Sequence, residues 1–108
     1  MTNPFSGDYA GVAYDTDQFV LSSTAVPVTT GGAVLTDAGS GDKCCAVIVS
    51  TSKALRYTID GVTTPTALVG MPVPDDATFI VVGFANVAAL QLIRQVADST
   101  IDVTFLRS

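Results

Sequence analysis

Hydrophobic and polar positions alternate or cluster along this chain in short runs with the two-residue period of β-strands. KCCAVIVS, residues 43–50, is apolar at almost every position, which predicts a strand covered on both faces. In ALRYTID, Leu55, Tyr57 and Ile59 alternate with Arg56, Thr58 and Asp60, the pattern of a half-exposed strand. TFIVVGF, residues 78–84, predicts a third strand with Gly83 at a bulge position. TIDVTFLR sets Ile101, Val103 and Phe105 on an inward face and Asp102 and Thr104 outward.

Weaker pieces lie between these runs. STAVPVT is extended, and Pro27 confines it to a sheet edge or a strand end. Gly31 and Gly32 make a turn before a short AVLT, DAGSGD (37–42) is a loop, and GMPVPDD combines two prolines with an acidic turn. NVAALQLIRQV supports two readings. Ala89, Leu92, Ile93 and Val96 fall at i, i+3, i+4 and i+7 with Asn86 as a helix cap, while the spacing of the neighbouring strands fits a strand from about Leu90 to Val96. In RYTIDGVTTPTALVG, Asp60-Gly61 and Pro65 read as turn chemistry, so that this loop is at most a contact surface.

Residues 1–22 show neither period, yet they hold Phe5, Tyr9, Tyr14 and Phe19, four of the eight aromatic residues. One reading packs these rings on the chain's own core. The other, taken as the expectation, is an extended arm laid on a neighbouring subunit, with the four aromatics as anchors and Asp8, Asp15 and Asp17 set against basic groups of the partner. The predicted organisation is therefore an arm, 1–22, and a β-domain, 23–108, formed as an antiparallel sandwich or barrel-like fold.

Composition fits strands and turns. Val, Ile and Thr fill 34 of 108 positions, and all ten acidic residues are Asp. The length allows one domain with one core. Net charge is −5, with every Lys and Arg at or beyond position 43. That balance lacks the basic footprint of a nucleic-acid binder. The longest apolar runs fall far short of the roughly 20 residues of a membrane span, and the N-terminal residues lack the basic and apolar regions of a signal peptide, so neither membrane insertion nor secretion is expected.

The candidate chemistry is sparse. Without histidine, Ser-His-Asp and Cys-His mechanisms are excluded, and the adjacent Cys44 and Cys45 cannot complete a four-ligand zinc site. Those two cysteines are expected to be reduced and buried. Asp15/Asp17 and Asp75/Asp76 lack the loop spacing of a calcium motif and read as solvated turn formers. No catalytic residue, metal or cofactor is expected.

RYTIDG, TPT, VG, the apolar TFIVVGF, LQLIRQ and the closing IDVTFLR resemble a recurrent group of small structural proteins of tailed bacteriophages. The resemblance spans about Cys44 to Arg107. It implies a β-sandwich virion component, foremost a capsid decoration or cement subunit that binds the major capsid protein lattice. It also favours the strand reading of Leu90 to Val96. The implied location is the capsid surface of a particle assembled in the host cytoplasm; a neck, tail or head-fibre position is the alternative. A second, ten-residue likeness of the Tyr-Thr-x-Asp-Gly turn to hairpins in carbohydrate-binding modules has shared turn chemistry as its simplest cause. The uncharged, β-prone CCAVIVS and TFIVVGF need cover, which predicts a homo-oligomer, either trimer or dimer.

Overall fold

The computed structural model describes residues 11–108. Eight strands and one short helix run in the order β1 (Val12–Leu21), β2 (Val26–Pro27), β3 (Cys44–Thr51), β4 (Leu55–Thr58), β5 (Met71–Val73), β6 (Ala77–Val82), α1 (Phe84–Ala89), β7 (Gln91–Arg94) and β8 (Ser99–Arg107). They form two four-stranded antiparallel sheets, ordered β1-β8-β3-β6 and β2-β7-β4-β5. The first strand pairs with the last, the second with the seventh, the third with the sixth and the fourth with the fifth. A ladder nested in this way is one long antiparallel hairpin rolled over itself, the strand order of an eight-stranded jelly roll. The expected all-β antiparallel sandwich is thus the observed architecture.

Why each strand sits where it does follows from its pattern. β3 and β8 are central in their sheet. Val47 and Val49 from β3 and Ile101, Val103 and Phe105 from β8 fill the space between the sheets. They meet Leu55 of β4, Leu92 of β7, Val28, and Val87 and Leu90 from α1 and its end. Asp102 is exposed and Thr104 half-buried on the opposite face, as the alternation requires. Tyr57 and Phe79 stack with ring centroids 4.7 Å apart and planes 8° from parallel. This near-parallel, offset stack joins β4 of one sheet to β6 of the other.

Several expectations are corrected. The arm does not extend to residue 22, because Val12–Leu21 is a full edge strand whose register with β8 runs from Val12↔Arg107 to Leu21↔Ser99. Phe19 and Leu21 are buried in the core. The period was hidden because Tyr14 is an extra residue in a bulge between Ala13 and Asp15, which breaks the alternation near the strand's start. A second bulge, at Cys45 between Cys44 and Ala46, lies across β8 from it. Consequently Cys44 is buried, as expected, while Cys45 is only half-buried. Gly83 is not a bulge: it is the residue that starts α1, its N–H donating to Cys45 O at 2.7 Å. Asn86 is not the cap, and its side-chain amide donates to Val82 O. The helix and strand readings of 86–96 each hold for one part, with the helix ending at Ala89 and the strand covering Gln91–Arg94. β4 stops at Thr58, leaving Ile59 exposed, and Met71–Val73 forms a strand where only a turn was expected.

Gly11 is the hinge into β1. Its φ is +83°, and a Cβ there would lie 2.0 Å from Arg107 O, so only glycine fits against the end of β8. Because β1 belongs to the sandwich, Phe19→Ala is expected to cost about 3 kcal/mol through the lost burial and the cavity left behind. Urea denaturation checks this; an unchanged midpoint would return Phe19 to the role of a free anchor.

Candidate functional site

The seven sequence-predicted partner anchors and acidic groups separate into two sets. Phe5, Asp8 and Tyr9 lie outside the described residues. Tyr14, Phe19, Asp15 and Asp17 all belong to β1, and the rings among them turn inward. Tyr14 packs against the core near Phe105 and donates its hydroxyl to Val34 O at 2.6 Å. Burial, with the Cys44 sulfur beside it, pushes its phenol far above the ordinary value, and burial pushes the Cys44 thiol up as well. Neither is a reactive group at neutral pH. Asp17 accepts the backbone N–H of Gln18, and its carboxylate sits against Gly31, where a Cβ would approach within 2.6 Å. Tyr14 and Phe19 are therefore core residues rather than anchors for a partner.

The loop between β4 and β5 is built differently. Asp60 organises its first turn. One carboxylate oxygen accepts the N–H groups of Val62 (3.0 Å) and Thr63 (2.8 Å), the other accepts the Thr63 hydroxyl (2.7 Å), and Thr58 donates its hydroxyl to Thr63 O. These bonds to the charged form, led by the Thr63 hydroxyl, hold the Asp60 carboxyl down at about 2. Gly61 has φ +74°, the left-handed conformation that the turn needs. Pro65 is fully buried beneath the loop, so it is a foot of the structure and not part of a contact surface. Thr66 closes a second turn by accepting the N–H groups of Leu68 and Val69. The Arg56 guanidinium then ties the return to β4, donating to Ala67 O at 3.0 Å and to Gly70 O at 2.8 Å.

This frame fixes a loop that carries apolar side chains into solvent. Val62 is 89% and Leu68 86% exposed, and Val69 and Met71 are also exposed. The backbone polar groups are occupied by Asp60, Thr66 and Arg56, so little conformational entropy remains to be lost when the tip is covered. Such a knob can do no chemistry on a substrate, but it suits insertion into an apolar recess of another protein. The sequence reading assigned the turn residues correctly and missed Val62, Leu68, Val69 and Met71. The available signal was four large apolar residues between turn formers, where a solvated loop would carry polar ones.

A depression of about 350 Å³ on the outer face of the β1-β8-β3-β6 sheet is lined mainly by Ser50, Ser52, Thr78, Thr100, Asp76 and Asp102. Asp102 is held there by the Gln18 amide at 2.8 Å. Among the described residues, no group of three or more Cys, His, Asp or Glu could hold a metal, and no helix is long and apolar enough to cross a membrane.

Gly61→Val is expected to destabilise the domain by about 1 kcal/mol or more, since a β-branched residue is strained at that φ; thermal melting checks it. The acid limb of stability tests Asp60. Its folded value lies below the ordinary 3.8, so its contribution is complete above that value and is lost as pH falls from about 4 to about 2. Asp60→Asn should remove that part of the pH dependence by lowering stability above about pH 4 toward the level the wild type reaches once the carboxyl is protonated. Urea midpoints measured across this range, wild type against variant, decide it.

Comparison of the chain with family models, with curated proteins and with solved structures finds no match, so a role for this loop rests on its own geometry.

Proposed function

We propose that the protein is a non-enzymatic structural subunit of a tailed-phage particle, a decoration or cement protein that docks on the assembled major capsid protein lattice. The observation that carries this reading is the hydrogen-bonded β4–β5 loop with Val62, Leu68, Val69 and Met71 held in solvent. An apolar tip on a pre-ordered frame is a device for contact with another protein surface. The fold adds support by analogy alone: jelly rolls recur in viral capsid domains, and also in lectins and cupins. The mechanism needs interface energy only. A subunit that binds the mature lattice and not its open form stabilises that lattice by mass action, because it must leave before the junction opens.

The anchors of this reading differ from those expected on β1. Tyr14 and Phe19 serve the core, which moves the weight of the proposed contact to the β4–β5 loop. Asp15 and Asp17 stay with β1. The carbohydrate-binding reading draws on one observation, the hydroxyl- and carboxylate-lined depression around Asp102. Hydroxyls and carboxylates there match the hydrogen-bonding needs of a sugar, although the depression has no flat aromatic platform among its lining residues.

Electron microscopy of the intact particle tests the main reading: many copies over the shell support decoration, whereas copies confined to one vertex or to the tail place the subunit in the neck, tail or a fibre. Co-sedimentation with preformed capsid shells tests the loop. A doubly substituted protein, Val62→Asp with Leu68→Asp, should fold and melt like the wild type. Losing two apolar anchors of about 2 kcal/mol each should weaken shell binding by roughly a thousandfold. Undiminished binding would remove the loop from the interface, and retention on a glycan array with none on shells would favour the sugar reading.

A further inference from the structure

Among the described residues, the sheet β1-β8-β3-β6 has two open edges, and they differ in one respect that bears on partners. β1 carries Asp15 and Asp17, charges that discourage another strand from adding to it. β6, ATFIVV, carries no charge and no proline. Its register with β3 pairs Val47 with Val81 and Val49 with Phe79, and Gly83 N–H donates to Cys45 O. Because hydrogen-bonded and non-hydrogen-bonded pairs alternate in an antiparallel ladder, Ala77, Phe79 and Val81 turn their backbone groups toward β3. The N–H and C=O groups of Thr78, Ile80 and Val82 consequently point away from the sheet, along the open edge. An apolar depression of about 230 Å³, lined by Ile48, Thr78, Phe79 and Ile80, lies against it.

We infer that β6 is a self-pairing edge, and that two copies of this chain join β6 to β6 antiparallel across a two-fold axis through Ile80, making one continuous eight-stranded sheet. The occupant is a second copy for three reasons. The outward-facing backbone groups are centred on Ile80, so a two-fold there matches Thr78 with Val82 and Ile80 with Ile80, each donor meeting an acceptor. Val82 O already accepts from the Asn86 amide, and its second lone pair is available to the N–H of Thr78 across the axis. On the outer face the same axis opposes Ile80 to its twin and Thr78 to Val82, covering apolar surface that is exposed in the single copy.

Charge supplies the third reason. Beyond the paired strands, the antiparallel arrangement sets the N-terminal end of one β6, flanked by Asp76, beside the C-terminal end of the other, where Phe84 starts α1. Lys43 lies over the Phe84 ring, its amine 5.1 Å from the centroid. The exposed Asp76 carboxylate of each copy is thereby brought toward the Lys43 amine of the other, twice by symmetry. A chain of net charge −5 would otherwise repel its own copy. The interface is small, one six-residue edge with its flanks, so the dimer belongs to the weak, concentration-dependent class.

Sedimentation of the full chain from low to high micromolar concentration should show a monomer–dimer equilibrium. Hydrogen exchange over the same range should protect the amides of Thr78 and Ile80 only at the high end, while those of Phe79 and Val81 are protected throughout. Ile80→Lys should shift the midpoint to at least tenfold higher concentration with an unchanged melting temperature. Val20→Lys, placed on the exposed β1 edge, should leave it unchanged. Paired residues in this register have Cα atoms about 5.5 Å apart, within disulfide reach, so Ile80→Cys should give a covalent dimer under mild oxidation and Val82→Cys should not. A monomer at every concentration, equal protection at both concentrations, a dimer indifferent to Ile80→Lys, or cross-linking through position 82 in place of 80 would each overturn the inference. These readouts involve no capsid, so they stand or fall separately from the proposed function.

Discussion

The nine-residue pairing of β1 with β8 is the contact on which the rest of this structure depends. β8 is central only because β1 covers one of its edges and β3 the other. Without β1, the strand that brings Ile101, Val103 and Phe105 to the middle of the core would itself become an edge. The same pairing is the outermost turn of the roll, joining residues 78 to 95 positions apart, and each inner pair closes a shorter loop within it. A topology so dominated by distant contacts folds slowly, because loop closure must be completed before the strands reward it.

Legibility in the sequence followed burial. β8 was readable to within one residue, since one of its faces meets only the core while Thr100 and Asp102 on the other meet solvent. β3 was readable for the opposite reason: it is central, and Ala46 and Ile48 on its outer face pack with Leu106 in a second small cluster. β1 was illegible, because it is an edge strand with a bulge at Tyr14 and with Asp15 and Asp17 half-buried at its side. The segment after Gly83 carried two periods at once. Val87 is the one buried residue of α1, whereas Leu90 and Leu92 are buried two apart, and from Leu90 the chain is extended, with Leu90 O accepting from Val28 N–H. Val96, the far end of the apparent helical stripe, is exposed, which is why a stripe that looked continuous spans two elements.

The candidate site was legible in its skeleton and not in its purpose. Asp60, Gly61 and Pro65 announce a turn through residue types whose conformational reasons are local. That Pro65 is buried and the neighbouring Val62 and Leu68 are exposed depends on where Arg56 anchors the returning chain, a contact spanning eleven to fourteen residues that no local pattern encodes. Apolar residues in a loop read as candidates for the core until the frame that holds them outward is seen.

Charge is distributed to the same end. Arg94 pairs with Asp98, Arg107 lies 2.9 Å from Asp37 and reaches Asp42, and Arg56 spends its donors on carbonyls of the β4–β5 loop. The arginines are thus committed within the chain, which leaves the proposed docking to draw its cations, like its apolar recess, from the partner. In the dimer inferred from β6 the two strands run in opposite directions. The two β4–β5 loops, each near the C-terminal end of its β6 through the packing of Gly61 beside Ala89 of α1, then lie toward opposite ends of the pair. Such a particle cannot set both knobs into one recess. In the docking proposed above it would span two, and a subunit that spans two sites resists their separation with the energy of both contacts.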